Sequence, residues 1–156
     1  MIYFSNIYLD MIIRKFNPND LKRVYEIECM SFTRSYGINI FQRFYEMGIG
    51  FLVAEIDGYV VGYVIYWLKY QNQGHIISLA VDKNYRKQGV GKKLLIKAIA
   101  LLSLLDIHKI YLEVKQSNQG AVEFYKKCNF KQDRIVPDYY NHGEGAIIMY
   151  LPLKRG

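Results

Sequence analysis

The stretch YRKQGVGKKLL, residues 85–95, decides the fold of this chain. Gly89 and Gly91 stand one residue apart with basic residues on both sides, and an apolar helical pattern begins where they end. Glycines let the backbone approach a polyanion, and the N–H groups of a helix's first turn point at it with the helix dipole behind them. The stretch predicts a phosphate-binding loop that opens a helix; the alternative is an ordinary glycine-rich helix start.

Two familiar phosphate-binding motifs do not fit this loop. The nucleoside triphosphate motif G-x-x-x-x-G-K-[ST] would put its first glycine at Arg86 and its Ser or Thr at Lys93. The dinucleotide motif G-x-G-x-x-G would require a glycine at Leu94. Neither motif therefore identifies the ligand, and only the physical features that both motifs share support phosphate binding.

Composition indicates a single cytoplasmic domain. The chain has 156 residues, and its 21 Lys plus Arg against 14 Asp plus Glu suit a polyanionic partner. Cys29 and Cys128 have no paired spacing and predict reduced thiols. The most apolar stretch, residues 58–68, is too short to span a membrane, and residues 1–13 make a poor signal peptide. We therefore expect a cytoplasmic protein with no membrane association.

Hydrophobic periodicity predicts the order β-α-α-β-β-β-α-β-α-β-β, a mixed α/β single domain. Residues 1–11 form an N-terminal extension and residues 12–156 form the domain; the sequence does not decide whether translation starts at Met1 or Met11. The third helix carries an apolar stripe that runs to Leu105. The predicted strands are 12–16, 51–56, 59–69, 75–81, 109–114, 134–139 and 146–153. The predicted helices are 21–28, 40–47, a third that opens as the glycines end and runs to Leu105, and 119–128.

With the loop placed between a strand and a helix, the sequence resembles the GCN5-related N-acetyltransferase superfamily. Its acetyl-coenzyme A (acetyl-CoA) signature [QR]-x-x-G-x-[GA] matches RKQGVG at residues 86–91. HIISLAV at 75–81, LEV at 112–114 and the pair Tyr139-Tyr140 resemble the protein N-terminal acetyltransferases, including the ribosomal-protein alanine and archaeal N-alpha enzymes. The resemblance covers about residues 12–153.

This resemblance implies a single-domain acetyltransferase fold, a mixed and mostly antiparallel sheet whose fourth and fifth strands splay apart, flanked by helices. It implies direct acetyl transfer from acetyl-CoA, in a ternary complex, to the N-terminal α-amine of proteins, with ribosomal proteins among the candidates. A ribosome or an auxiliary subunit is an implied partner, and DNA is not. The alternatives are a small amine or a lysine side chain as acceptor, and a basic nucleic-acid-binding module, which the scattered lysines do not favour.

The resemblance also implies where acetyl-CoA binds. Backbone groups of residues 79–81 would pair with the pantetheine amides, and N–H groups of residues 87–92 would hold the pyrophosphate. Asn118 would hydrogen-bond the pantetheine arm, the alternative being a plain helix cap. The predicted set is Leu79, Ala80, Val81, Arg86, Lys87, Gln88, Gly89, Val90, Gly91, Lys92, Asn118, Tyr125 and Lys127.

Three side chains are candidates for the chemistry. Glu113 projects opposite the apolar set of its strand, and the resemblance makes it the base that deprotonates the amine; the alternative is a surface carboxylate. The resemblance pairs His75 with that glutamate through water; as zinc ligands the two lack a third ligand at recognisable spacing, so we predict no functional metal. Tyr125 would protonate the leaving thiolate, although the chain has 15 tyrosines and most serve packing.

The resemblance assigns the peptide site to four aromatic residues, Phe32, Tyr36, Tyr139 and Tyr140. Relatives commonly carry F-P-x-x-Y or L-P-E-N-Y where this chain has FTRSY at residues 32–36. The proline is absent and Arg34 is basic, so acidic peptide N-termini are expected to be favoured if Arg34 faces the substrate.

Overall fold

The computed structural model describes residues 10–32, 36–70, 72–140 and 143–154. Arg34, for which a contact with acidic peptide N-termini was considered, lies outside these ranges. Short 3-10 turns at Pro18–Asp20 and Lys83–Tyr85 lead into other elements. Within these ranges the strands are β1 (Met11–Lys15), β2 (Gly50–Ile56), β3 (Tyr59–Lys69), β4 (Gln73–Val81), β5 (Lys109–Lys115), β6 (Lys131–Val136) and β7 (Ala146–Pro152), and the α-helices are α1 (Leu21–Ser31), α2 (Ile38–Glu46), α3 (Val90–Leu102) and α4 (Gln119–Lys127).

The strands form one mixed sheet in the order β1-β2-β3-β4-β5-β7-β6, which confirms the predicted fold class. β1 with β2, β2 with β3, β5 with β7 and β6 with β7 are antiparallel. β4 and β5 are parallel and are paired only where residues 73–75 meet residues 109–111. Their pairing ends there, as expected for central strands that splay apart.

The predicted boundaries of β6 and α3 are wrong. The strand predicted at 134–139 is β6, which ends at Val136, because Pro137 has no N–H for the ladder and Asp138 has a φ of 54°. Tyr139 therefore lies in the connection to β7 and not in a strand. Helix α3 ends at Leu102, and Leu105, predicted on its buried stripe, is 45% exposed. The Leu105 N–H bonds the Leu102 carbonyl in a tighter turn that takes its side chain off the stripe.

Backbone contacts divide the chain into two compact units, the first of which comprises residues 1–66 and 78–100. A buried ion pair between Arg23 and Asp82 ties α1 to the residue that follows β4, and Arg23 Nε also donates to the Val60 carbonyl at 2.9 Å. Burial alone would raise the pKa of Asp82, but hydrogen bonds from the Asn84 N–H and Arg23 outweigh it and hold that pKa below its usual value. The start of the glycine loop is thereby fixed to α1. The unit's largest fully buried side chains are Tyr63, Phe41, Ile27, Ile65, Leu94 and Leu95.

The second unit comprises residues 67–77 and 101–156. Gly74 in β4 lies close to its neighbours, because a Cβ there would sit 3.0 Å from Ile107 and 3.2 Å from both Ile110 and Leu102. Side chains on β5 alternate, with Ile110, Leu112 and Val114 buried and the residues between them partly exposed. Of the described residues, no helix is both long and apolar enough to cross a membrane.

Candidate active site

The glycine loop has the backbone geometry that a phosphate-binding loop requires. Arg86 is extended, Lys87 has a φ of 61° and Gly89 a φ of 85°, so two left-handed residues flank Gln88 just before α3 begins at Val90. Turns of this kind can gather backbone N–H groups into an anion-binding concavity, and the first turn of a helix leaves its N–H groups without intrahelical partners. Lys87 and Lys92 are exposed beside it. This geometry is compatible with the predicted phosphate-binding role of the loop, which remains a prediction.

Arg86 is already engaged within the protein. Its Nε donates to the Val81 carbonyl at 3.0 Å and its Nη2 to Ser31 Oγ at 3.3 Å. Arg86 thus holds the end of β4 against α1, and the Val81 carbonyl predicted to meet pantetheine has a protein donor. Gln88 likewise donates to the Asn84 carbonyl at 3.4 Å, so both side chains shape the loop.

Glu113 and His75 are in direct contact in the second unit. Nε2 of His75 and Oε2 of Glu113 are 2.7 Å apart, so no water is needed between them. The other carboxylate oxygen, Oε1, accepts from Lys69 Nζ at 3.0 Å. The Glu113 side chain is 12% exposed and that of Lys69 is 36% exposed. The surface-carboxylate alternative for Glu113 is therefore wrong, because both of its oxygens are held in a mostly buried cluster.

The cluster keeps Glu113 ionised. Burial alone would raise the pKa of Glu113, but the hydrogen bond and charge of His75 and those of Lys69 outweigh it and bring that pKa below its usual value. Tyr139 faces the same carboxylate, and partial burial together with the Glu113 charge raises the pKa of Tyr139. At neutral pH the site therefore holds a carboxylate beside a neutral phenol.

Tyr139 and Tyr140 lie in the turn before β7. A hydrogen bond fixes this turn to the turn that follows β5. The two rings are 5.0 Å apart with an edge-to-face tilt, and Lys115 Nζ lies 5.6 Å from the Tyr140 ring centroid. Glu144 accepts the Ser117 N–H at 2.8 Å. This contact anchors the turn, so the structure brings Tyr139, predicted to bind peptide, next to the predicted base.

Asn118 caps helix α4. Its Oδ1 accepts the Ala121 N–H at 3.1 Å, which confirms that the side-chain oxygen caps the helix. The amide nitrogen keeps its two N–H donors, which could reach a pantetheine carbonyl. Lys127 is exposed in the last turn of the same helix. Its position is compatible with a charged partner of acetyl-CoA and remains a prediction.

Tyr125 is buried in the second unit, 9% exposed, with its ring centroid 5.7 Å from that of Phe130. Burial, with smaller contributions from Cys128 and Tyr140, raises the pKa of Tyr125 well above its ordinary range. A thiol titrates near 8.5, so complete proton transfer from this phenol to a thiolate is unfavourable. Tyr125 is better suited to donate a hydrogen bond to the departing sulfur.

We expect Tyr125→Phe to lower kcat about 10- to 100-fold with little change in the dissociation constant of acetyl-CoA, because only one donor to the developing charge is lost. Steady-state kinetics with calorimetric titration of coenzyme A measure both. Tyr111→Phe removes a hydroxyl from a ring of the same unit that is partly exposed, unlike that of Tyr125, and serves as the control. A Tyr125→Phe protein with wild-type kcat would make Tyr125 a packing residue.

The other two predicted peptide-site residues, Phe32 and Tyr36, belong to the first unit. Tyr36 is 42% exposed and packs edge-to-face on Phe41 and Phe44, while its N–H donates to Glu28 Oε1 at 3.2 Å. The Phe32 N–H bonds the Glu28 carbonyl at 3.0 Å at the end of α1. One glutamate therefore holds both ends of the segment 32–36.

Glu28 and Lys69 are the polar residues that sequence reasoning missed. Glu28 is 1% exposed and accepts a hydrogen bond from the Tyr63 hydroxyl, which also lies 3.2 Å from Ser78 Oγ. Burial raises the pKa of Glu28. A signal existed for Glu28, because it lies four residues after Val24 on the buried stripe of α1. Lys69 gave none, since a lysine at a strand end is usually solvated.

Across the described ranges, no three His, Cys, Asp or Glu side chains come close enough together to hold a metal ion.

Comparison with known proteins agrees with this fold. The family model described as the acetyltransferase (GNAT) family matches residues 21–130. A Methanocaldococcus jannaschii protein named "Uncharacterized N-acetyltransferase" is 42% identical over 142 residues, 89% of this chain and 90% of that protein. An N-alpha-acetyltransferase of Sulfolobus acidocaldarius is 35% identical over 154 residues, 90% and 92% of the two chains. The crystal structure of Ard1 from Thermoplasma volcanium matches with a TM-score of 0.86 and 31% identity, covering 94% and 99% of the two chains.

A mixed sheet with short parallel pairing at its centre, followed by a glycine loop at a helix start, defines an α/β acyltransferase fold. The chain belongs to the acetyltransferase (GNAT) family. It is an acetyltransferase, and acetyl-CoA is its cosubstrate.

Proposed function

We propose that this protein acetylates the N-terminal α-amine of protein chains. The observation that carries the proposal is the ionised, mostly buried Glu113, held by His75 and Lys69 beside the exposed ring of Tyr139. A base next to an aromatic wall suits an amine that arrives at the end of a peptide. The relative from Sulfolobus acidocaldarius is named an N-alpha-acetyltransferase, which supports the same acceptor.

In the proposed reaction, acetyl-CoA supplies an acetyl group on a thioester. Glu113 is a weak base, yet an amine nitrogen becomes strongly acidic as its new bond to carbon forms, so a weak base placed beside it suffices. Glu113 accepts that proton while His75 fixes the orientation of the carboxylate through Oε2. Tyr125 donates a hydrogen bond to the sulfur as the carbon–sulfur bond breaks, and the thiol takes its proton from solvent.

The acetyl-CoA site in this proposal uses the residues 86–92 loop for phosphate and the backbone of Leu79 and Ala80 for pantetheine. In the second unit, the Asn118 amide nitrogen and the Lys127 ammonium are further proposed contacts of acetyl-CoA. Substrates would include ribosomal proteins, reached at a ribosome or through an auxiliary subunit. The proposed location is the cytoplasm, in line with Cys29 and Cys128, which form no disulfide.

The test is a kinetic comparison of acceptors at one acetyl-CoA concentration. Peptides beginning Ala, Ser or Met, including ribosomal-protein N-termini, are compared with the same peptides blocked at the α-amine but carrying an internal lysine, and with spermidine. We expect kcat/KM for the free peptides to exceed that for the other amines about 100-fold or more. Comparable values for blocked peptides or spermidine would contradict the proposal and favour a lysine or small-amine acceptor.

A further inference from the structure

Lys69 is charged, partly buried and in contact with the proposed base. It is the last residue of β3, and its Nζ lies 3.0 Å from Glu113 Oε1 while His75 holds Oε2. Its side chain is 36% exposed, so the ammonium is neither fully solvated nor sealed in the core. The ammonium and the carboxylate carry opposite charges, so Lys69 reduces the negative charge that Glu113 presents to an arriving amine.

The charge near Glu113 matters because the reactivity of the acceptor amine depends on its protonation state. An amine attacks only as the neutral base, whereas a peptide α-amine has a pKa of about 8 and is largely ammonium at neutral pH. A mostly buried carboxylate without a counter-charge would bind the ammonium tightly and raise the pKa of the amine, holding it in the unreactive form. Glu113 could not reverse this, because even the ordinary pKa of a glutamate, about 4.3, lies far below that of the amine.

We propose that Lys69 is a specificity-determining residue of the acceptor site, whose ammonium offsets the charge of Glu113 so that the site receives neutral amine in preference to ammonium. The proposal deepens the proposed function and rests on it. Lys69 also positions the base, because it holds one carboxylate oxygen while His75 holds the other.

The groups that face Glu113 support this assignment. Of the described residues, β3 contributes Lys69, β4 contributes His75 and the segment after β6 contributes Tyr139, while β7 places the apolar Ile148 opposite Glu113 in register. A phenol is neutral at physiological pH, and the raised pKa of Tyr139 keeps it so. Lys69 supplies the ammonium that contacts Glu113 Oε1.

The test uses Lys69→Met, Lys69→Gln and the charge-preserving Lys69→Arg. kcat and KM for an N-terminal Ala peptide are measured from about pH 6 to about pH 9, and thermal melting checks each fold. At low pH we expect Lys69→Met and Lys69→Gln to lower KM about three- to tenfold, since the ammonium now binds an uncompensated carboxylate, and to lower kcat at least as much. The rising limb of kcat should move to higher pH, with recovery near about pH 9 as the amine becomes neutral.

Lys69→Arg is expected to keep the wild-type profile. Lys131→Met, which removes an exposed positive charge on β6, is the matched control and should also keep it. A folded Lys69→Met protein whose kcat and KM follow pH as in wild type would overturn the role of Lys69, as would a KM that rises with a pH-independent loss of kcat. Wild-type protein that acetylates no peptide α-amine would instead contradict the proposed function.

Discussion

Replacing Glu113 with Gln is expected to lower kcat for an N-terminal peptide about 1000-fold and to leave acetyl-CoA affinity unchanged. The amide keeps the size of the carboxylate but loses its charge and most of its capacity to accept a proton. His75 and Lys69 would then face a neutral group in place of the oxygens they now contact at 2.7 and 3.0 Å. Steady-state kinetics and calorimetric titration of coenzyme A measure the two quantities.

Glu123→Gln is the matched control for this change. Glu123 lies on α4 with its side chain 62% exposed and only a long ion pair, 3.8 Å, to Lys126. Such exposed pairs contribute little, so Glu123→Gln should keep wild-type kcat. A Glu113→Gln protein that melts like wild type and retains kcat within about threefold would remove Glu113 from the chemistry, since general bases contribute far more than that.

Replacing Gly89 with Glu is expected to abolish detectable coenzyme A binding while the protein stays folded. Gly89 has a φ of 85°, a conformation that costs residues with a Cβ about 1–2 kcal/mol, which is below the stability of about 5–15 kcal/mol typical of a domain. The added carboxylate would meet the pyrophosphate at the point where the backbone N–H groups converge. Repulsion between the two anions then outweighs the contacts that remain.

Gly89→Ala separates strain from charge, because it carries the same backbone cost without the carboxylate. We expect it to weaken coenzyme A binding only moderately, about tenfold or less. Calorimetric titration compares both variants with wild type, and circular dichroism confirms the fold. If folded Gly89→Glu protein bound coenzyme A as wild type does, the loop at residues 86–92 would not be the phosphate site.

Much of the fold could be predicted from local patterns, because turns and helix ends require particular residue types. The Asp57-Gly58 turn fixed the β2–β3 hairpin, both residues having positive φ values of 51° and 78°. Asn118 correctly predicted the start of α4, and Asn129, which has a φ of 71°, correctly predicted its end. These features depend only on neighbours in the chain, so one sequence suffices to place them.

The features that sequence did not place depend on contacts between distant residues. The sequence does not reveal that the ammonium of Lys69, at the end of β3, donates a hydrogen bond to Glu113, 44 positions later. Likewise, the signature put Arg86 among the acetyl-CoA residues but did not reveal that its guanidinium donates to the Val81 carbonyl. The β6 boundary failed because Pro137 and Asp138 end the strand before Tyr139. Local sequence patterns therefore indicate what kind of group a residue contributes, but not which distant residue it contacts.

The most direct measurement of the central claim is the position of the acetyl group on a peptide that carries both a free α-amine and an internal lysine. The peptide is incubated with acetyl-CoA and either wild-type or Glu113→Gln protein, and tandem mass spectrometry locates the modification. We predict one acetyl group, on the α-amine, with wild-type protein, and almost none with Glu113→Gln. Acetylation of the lysine instead, or equal α-amine acetylation by both proteins, would contradict the account.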